Sequence, residues 1–121
     1  MHEMSIATGL IEQVLRIAEA NNAVRVDEID LEVGFMRQVA PEAMEMAWEA
    51  VRIGTIAENA VLNLREIGIS AECEKCGLVF QPGIDDFLCP KCRQANVRIV
   101  SGDDIILRSI TCDTEEERPA K

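Results

Sequence analysis

The sequence predicts an α+β fold in which two helices pack on a three-stranded sheet, with a zinc-ribbon-like module inserted into it. Three observations predict this architecture. Two stretches carry apolar residues at helical spacing, three shorter stretches are typical of strands, and two Cys-x-x-Cys pairs fall before the last of these strands. That last strand has no sheet of its own, so its most economical place is beside the first two.

The first predicted helix covers residues 4–21. Its apolar residues recur at helical spacing, which predicts one face packed on the core. This stripe consists of Ile6, Leu10, Ile11, Val14, Ile17 and Ala18. Ser5 is predicted to cap the helix N-terminus, and the pair Asn21-Asn22 is predicted to end the helix.

The first predicted strand covers residues 24–34. Apolar and acidic residues alternate through its second half, which predicts one buried face and one acidic, solvated face. The alternating residues are Ile29, Leu31 and Val33 against Glu28, Asp30 and Glu32. Val24 and Val26 fall in the opposite phase, so we expect a bulge or a late strand start near Asp27.

The second predicted helix begins at Pro41, a residue that suits the first helical turn, and is closed by Gly54. Glu42 and Glu45 lie near the positive end of its dipole. Its apolar face comprises Ala43, Met44, Ala47, Trp48 and Val51. Helical spacing indicates that Trp48 and the methionines pack in the core, in preference to forming a soft-metal or cofactor stripe.

The second predicted strand covers residues 59–69, and the third covers residues 105–112, after the module. Cys112 lies in the third strand and is expected to be an ordinary strand residue. Residues 113–121 are charged and predict a frayed tail. We therefore expect a discontinuous α+β domain of residues 1–69 plus 103–121, and a zinc-binding domain of residues 70–102.

The two Cys-x-x-Cys pairs are separated by twelve residues. Their members are Cys73, Cys76, Cys89 and Cys92. This spacing is typical of a Cys₄ zinc site, because two intervening residues let both thiolates of a pair reach one ion. We expect Gly77 to adopt the positive φ of such a knuckle. A closed Cys₄ set leaves no position for water or substrate, so the zinc would be structural. Two disulfides or a thioredoxin-like redox role are the alternatives.

The charge balance argues against nucleic acid as a partner. The chain has 12 basic and 22 acidic residues, a net charge of −10. The basic and acidic residues of 70–102 sum to zero, and zinc with four thiolates would add −2. A phosphate backbone needs a basic face, and none is visible. Binding to nucleic acid, or a role in transcription, as in other zinc-ribbon proteins, is thus the less favoured alternative function.

The sequence also predicts the cellular location of the protein and argues against an enzymatic function. It has no signal-peptide pattern and no run of about 20 apolar residues, so we expect a cytoplasmic protein without a membrane partner. The single histidine and the lack of a Gly-rich phosphate loop indicate that it is not an enzyme. A small metal-dependent hydrolase using His2 and Glu3 would lack the three protein ligands of a catalytic zinc.

The chain begins Met1-His2-Glu3 and carries its only histidine at position 2. The α-amine of Met1, the backbone nitrogens of His2 and Glu3, and the imidazole can close fused chelate rings on one ion. Four nitrogens in a plane suit Ni²⁺ or Cu²⁺. These ions can drive deprotonation of a backbone amide, which Zn²⁺ generally does not, and the Glu3 carboxylate adds a further ligand. The alternative is a histidine without a metal role, because many proteins begin Met-His by accident.

Together these features resemble the HypA family of hydrogenase nickel-incorporation proteins. The resemblance is carried by Met1-His2-Glu3 before an amphipathic helix, Glu32-Val33-Gly34, Pro41-Glu42-Ala43, and the paired cysteine knuckles before a closing strand. It covers the chain up to about Cys112. It implies a nickel metallochaperone for maturation of NiFe-hydrogenase, which works with the GTPase HypB to load the hydrogenase large subunit.

Carried onto this chain, the resemblance implies two metal sites. His2 would be the essential ligand of a transient Ni(II) cargo, assisted by Met1 and Glu3, so the α+β domain would bind nickel. The ligands of a structural Zn(II) would be Cys73, Cys76, Cys89 and Cys92. Some relatives place an acidic residue that assists nickel just before the second helix, where this chain has Ala40. The sequence leaves open whether the chain forms a homodimer.

Overall fold

The computed structural model describes residues 3–82 and 87–114. The helices are α1 (Glu3–Ala20), a 3₁₀ turn (Phe35–Arg37) and α2 (Pro41–Val51). The strands are β1 (Ala23–Gly34), β2 (Val61–Ile67), β3 (Ser70–Cys73), β4 (Val79–Phe80), β5 (Val97–Ser101) and β6 (Ile105–Thr114). The strands form two three-stranded sheets, of order β2-β1-β6 and β4-β3-β5. The predicted α+β class is therefore confirmed, including the return of the last strand to the first sheet.

Helix α1 buries one stripe and packs against α2. The buried residues are Ala7, Leu10, Ile11, Val14 and Ala18. Ile17, predicted to belong to this stripe, is 38% exposed, because it lies at the edge of the buried arc. The prediction that Ser5 caps the helix is wrong, because the helix already includes Glu3. Asn22 ends it as predicted, in a left-handed conformation with φ 58°.

Strand β1 is the centre of the first sheet, between β2 and β6. Ile29, Leu31 and Val33 are buried, as the alternation predicted. Val26 is also buried, so the inward phase shifts between Val26 and Ile29, near the position of the expected irregularity.

The exposed face of this sheet carries a row of polar contacts across its three strands. Asp30 accepts hydrogen bonds from Asn63 of β2, at 2.9 Å, and from Ser109 of β6. These hydrogen bonds, that from Ser109 first, lower the pKa of the Asp30 carboxyl. Glu28 accepts a second hydrogen bond from Asn63, at 2.6 Å. The solvated face predicted for β1 is thus bonded to both neighbouring strands.

Helix α2 contributes the largest buried side chain of the fold, Trp48. Its indole Nε1–H donates to the carbonyl of Ala60 at 3.0 Å, which satisfies the buried donor. The prediction of core packing is thus confirmed for Trp48 and for Met44, whereas it is wrong for Met46, which is 71% exposed. The helix ends at Val51, and Gly54 follows in a turn with φ 77°. No helix among the described residues is long and apolar enough to cross a membrane.

The second sheet was not predicted from the sequence. Strand β3 pairs antiparallel with β4 and with β5. In the β3–β5 pair Glu72 lies opposite Arg98, and the two side chains form an ion pair. Because β3 and β4 have only four and two residues, they are too short to show an alternating pattern.

The chain divides into two compact units. The first consists of Met1–Leu31, Val39–Arg65 and Ile106–Lys121, and the second of Glu32–Gln38 and Glu66–Ile105. The segment 32–38 therefore belongs to the second unit, whereas it was predicted to lie in the α+β domain. The functional assignment of the two predicted domains stays a prediction.

Within the second unit, the end of β1 lies close to the start of β6. The N–H of Gly34 donates to the Asp104 carbonyl and that of Met36 to the Gly102 carbonyl, both at 2.8 Å. A Cβ on Gly34 would lie 2.2 Å from the Gly102 carbonyl carbon, so only glycine fits there. Gly102 itself has φ 96°. The contact thus explains why 32–38 groups with the later segment.

Candidate metal centre

The first cysteine pair lies on a tight turn at the end of β3. The N–H of Gly77 donates to the Cys73 carbonyl at 2.8 Å, and the N–H of Cys73 donates to the Leu78 carbonyl at 2.9 Å. Gly77 has φ 78°, as predicted, a conformation that costs a residue with a Cβ about 1–2 kcal/mol. These two hydrogen bonds fix the turn and direct the thiols of Cys73 and Cys76 to the same side.

The second cysteine pair repeats the same turn. The N–H of Arg93 donates to the Cys89 carbonyl at 2.7 Å, and the N–H of Cys89 donates to the Gln94 carbonyl at 3.0 Å. Arg93 corresponds to Gly77 and is also left-handed, with φ 57°. The N–H of Cys92 donates to the Cys89 sulfur at 3.4 Å. The positive φ of Arg93 could not be predicted from the sequence, because arginine seldom adopts this conformation.

The two turns bring four thiols together. The sulfur atoms of Cys73, Cys76, Cys89 and Cys92 all lie within 4.8 Å of one another, and those of Cys76 and Cys89 are 3.6 Å apart. In a tetrahedral site with metal–sulfur distances of about 2.3 Å, neighbouring sulfurs are about 3.8 Å apart. The cluster therefore has the dimensions of a tetrahedral metal site, and 3.6 Å is far longer than a disulfide bond of about 2.05 Å.

The site is closed on one side and open on the other. Cys73 and Cys89 are buried, Cys92 is half-buried and Cys76 is exposed. The four donors are all sulfur, the ligand type that soft and borderline metal ions prefer. Since four thiolates complete a tetrahedral shell, no position is left for water or substrate, and the arrangement suits a structural ion.

The thiols differ in acidity. The backbone N–H of Cys76, aided by that of Lys75, hydrogen-bonds the Cys73 sulfur and lowers its pKa to about 7, against the opposing effect of burial. The pKa of Cys92 is raised to about 12, because its thiol hydrogen-bonds Cys76, is desolvated and lies beside like charges. Without a cation the four sulfurs therefore do not all ionise near neutral pH. A bound divalent cation would offset the repulsion between the thiolates and favour their ionised form.

Of the predicted nickel ligands, Met1 and His2 lie outside the described residues. Glu3 is the first described residue of α1, and its carboxylate Oε2 accepts the N–H of Ala40 at 2.9 Å. This contact joins residues 37 positions apart, so no local pattern could have predicted it. Cys112 lies half-buried in β6, as expected of an ordinary strand residue.

Comparisons with known proteins find relatives that match more than nine-tenths of the chain. The family model described as hydrogenase/urease nickel incorporation, metallochaperone, HypA matches residues 1–112. The hydrogenase maturation factor HypA of Pelodictyon phaeoclathratiforme is 36% identical over 117 residues, which are 97% of this chain and 100% of that protein. Its counterpart in Rhizobium leguminosarum bv. viciae is 36% identical over 110 residues, or 91% and 97% of the two chains.

The fold is also similar to a solved structure. The solution structure of the Ni metallochaperone HypA from Helicobacter pylori superposes with a TM-score of 0.74 at 27% sequence identity, and the match covers 95% of this chain and 100% of that one. The sequence matches and the fold match thus each cover more than nine-tenths of the chain. The chain belongs to the HypA family of nickel metallochaperones, which act in hydrogenase maturation.

Proposed function

We propose that this protein binds one Ni(II) at its N-terminus as cargo and delivers it, with the partner GTPase HypB, to the large subunit of a NiFe-hydrogenase. The observation that carries the proposal is the family match, which begins at residue 1 and so includes Met1-His2-Glu3. In this proposal the protein is a cytoplasmic binding protein and not an enzyme. Its single histidine is used to hold the cargo.

The proposed nickel ligands are four nitrogens. They are the α-amine of Met1, the backbone nitrogens of His2 and Glu3, and the imidazole of His2. This set closes fused chelate rings and suits the square-planar preference of Ni(II). A chelate at a chain terminus also suits delivery, because its ligands can be replaced one after another by those of a partner.

The proposed resident metal is one structural Zn(II). Its ligands are Cys73, Cys76, Cys89 and Cys92. When bound, zinc supplies the positive charge that holds four thiolates together, and it cross-links the two turns. The residues of this unit position the ligands. Backbone N–H groups donate hydrogen bonds to the sulfurs, and the paired β strands support the turns.

The alternative of a nucleic-acid-binding zinc ribbon has little support in the described residues. Arg98, on the β5 strand of the cysteine unit, is paired with Glu72. A phosphate backbone would have to compete with this carboxylate. Binding to nucleic acid that weakens steeply with salt would favour the alternative.

The nickel proposal predicts that His2→Ala, or one residue added before Met1, abolishes nickel binding and leaves zinc bound. The first change removes the imidazole and the second removes the α-amine from the chelate. Native mass spectrometry measures both metals in one spectrum. A residue added after Lys121 is the matched control. Nickel retained at normal stoichiometry in both variants contradicts a terminal nickel site.

A further inference from the structure

The carboxylate of Glu3 lies at the N-terminus of α2. Its Oε2 accepts the N–H of Ala40 at 2.9 Å. Ala40 is the N-cap residue of α2, and it has no side chain that could cap the helix. The helix N-terminus carries partial positive charge, so a carboxylate is stabilised there. The first residue described after His2 is thus attached to a second element of the same unit.

This contact provides one of the two hydrogen bonds of a capping box, and the acceptor comes from a residue distant in the sequence. In a capping box, the glutamate at the third helical position accepts the N–H of the N-cap residue. The third position of α2 is Ala43, which has no acceptor. Glu3 takes over that role from α1, which packs against α2. The hydrogen bond is charge-assisted, and therefore stronger than one between neutral groups.

We propose that the Glu3 carboxylate is a positioning group for nickel and not a nickel ligand. This inference rests on the proposed nickel site. The carboxylate anchors the third residue of the chelate to α2, and the backbone nitrogen of Glu3 binds the ion. Anchoring reduces the freedom that the terminus loses when the chelate rings close, which strengthens binding without adding a contact to the metal.

The residue at position 40 contributes its backbone N–H to this contact. Ala40 offers nickel no side-chain ligand, but its N–H is the donor that holds Glu3. A carboxylate whose Oε2 turned to the metal would lose this hydrogen bond and leave the N–H of Ala40 without this acceptor. The cost of that loss opposes ligation by Glu3.

The test compares three variants, which change the charge of the acceptor, the acceptor itself and the hydrogen-bond donor in turn. Glu3→Gln keeps an oxygen acceptor, Glu3→Ala removes it, and Ala40→Pro removes the donor while leaving Glu3 intact. Proline fits at position 40, where φ is −75°. Glu42→Ala, at an acidic position in the first turn of the same helix, is the matched control.

Positioning predicts that Glu3→Ala and Ala40→Pro each raise the nickel Kd about tenfold, the loss expected for one charge-assisted hydrogen bond. The double variant is no weaker than either single one, because both remove the same bond. Glu3→Gln, which keeps an acceptor but loses the charge, weakens nickel binding less than Glu3→Ala does, and Glu42→Ala stays within about twofold of the wild type. The nickel absorption spectrum is the same in all variants, and hydrogen exchange at the Ala40 amide accelerates in metal-free Glu3→Ala.

Ligation predicts a different result. Glu3→Gln would then weaken nickel binding about as much as Glu3→Ala and would shift the spectrum, whereas Ala40→Pro would leave affinity unchanged or increase it. Either result overturns the inference and leaves the proposed function standing. A wild-type chain that binds no nickel overturns the proposed function and this inference together. If Ala40→Pro does not fold, the comparison of Glu3→Gln with Glu3→Ala still decides.

Discussion

The two units of the chain are stabilised by different means. The first buries large apolar side chains, of which Trp48, Ile29, Met44 and Val14 are fully buried. In the second, the described buried side chains are small or sulfur-bearing: Val33, Ala71, Cys73 and Cys89. Burial of a large apolar side chain stabilises a fold by about 1.5–3 kcal/mol, and the second unit has little of it. We therefore expect the second unit to depend on a metal cross-link and the first unit to fold without one.

The largest expected effect is loss of the second unit when the cluster is broken. Cys89→Ala removes a buried ligand, and structural zinc supplies about 10–16 kcal/mol of binding free energy in comparable small modules. We expect zinc to be released and residues 66–82 and 87–105 to lose amide dispersion in NMR spectra, while α1 and α2 remain folded. Cys112→Ala, outside the cluster, is the control and should change neither.

This prediction can fail in two ways. Zinc retained at normal stoichiometry in Cys89→Ala would show that the cysteine is not a ligand. Collapse of both units together would show that the first unit also depends on the metal.

The next prediction concerns the apolar core of the first unit, which contains no ligand of the cysteine cluster. Trp48→Ala removes its largest buried side chain and the hydrogen bond that the indole N–H donates to the Ala60 carbonyl, so it should lower the free energy of unfolding by about 3–5 kcal/mol. Zinc affinity should change little. Chemical denaturation and a zinc competition assay measure the two effects. Met46→Ala, on the same helix but at a position 71% exposed, should stay within about 0.5 kcal/mol. An equal loss in both variants would contradict the assignment of the core.

The smallest expected effect concerns the left-handed residue of each cysteine turn, Gly77 in the first and Arg93 in the second. Gly77→Ala places a Cβ at φ 78°, where among the described residues it meets nothing within 4 Å, so the cost is backbone strain of about 1 kcal/mol. Zinc affinity should fall about fivefold. At Arg93, which already bears a Cβ at φ 57°, replacement by glycine relieves strain but raises the entropy of the unfolded chain.

We therefore expect Arg93→Gly to change zinc affinity by less than about twofold. Competition with a chelator, read out for both variants and the wild type, measures the difference. Equal losses in Gly77→Ala and Arg93→Gly would show that the two turns do not share one backbone conformation.

Much of the fold could be predicted because its elements have strong local periods. The stripes of α1 and α2 and the alternation in β1 each lie within one continuous stretch. Predictions failed where local signals were ambiguous or short. Ser5 is a good capping residue in a helix that already includes Glu3, and the strands β3 and β4 have only four and two residues, too few to show a clear alternation. Strand β3 also pairs with β5, which lies more than twenty residues later.

The sequence by itself determined the four thiols, their spacing, the left-handed Gly77 and the terminal histidine, because each follows from the chemistry of a few adjacent residues. Only the tertiary structure decided that Glu3 meets Ala40 and that Arg93 repeats the conformation of Gly77. It also decided that residues 32–38 group with the cysteine unit. These contacts depend on the register and packing of separate elements, which no single stretch of sequence encodes.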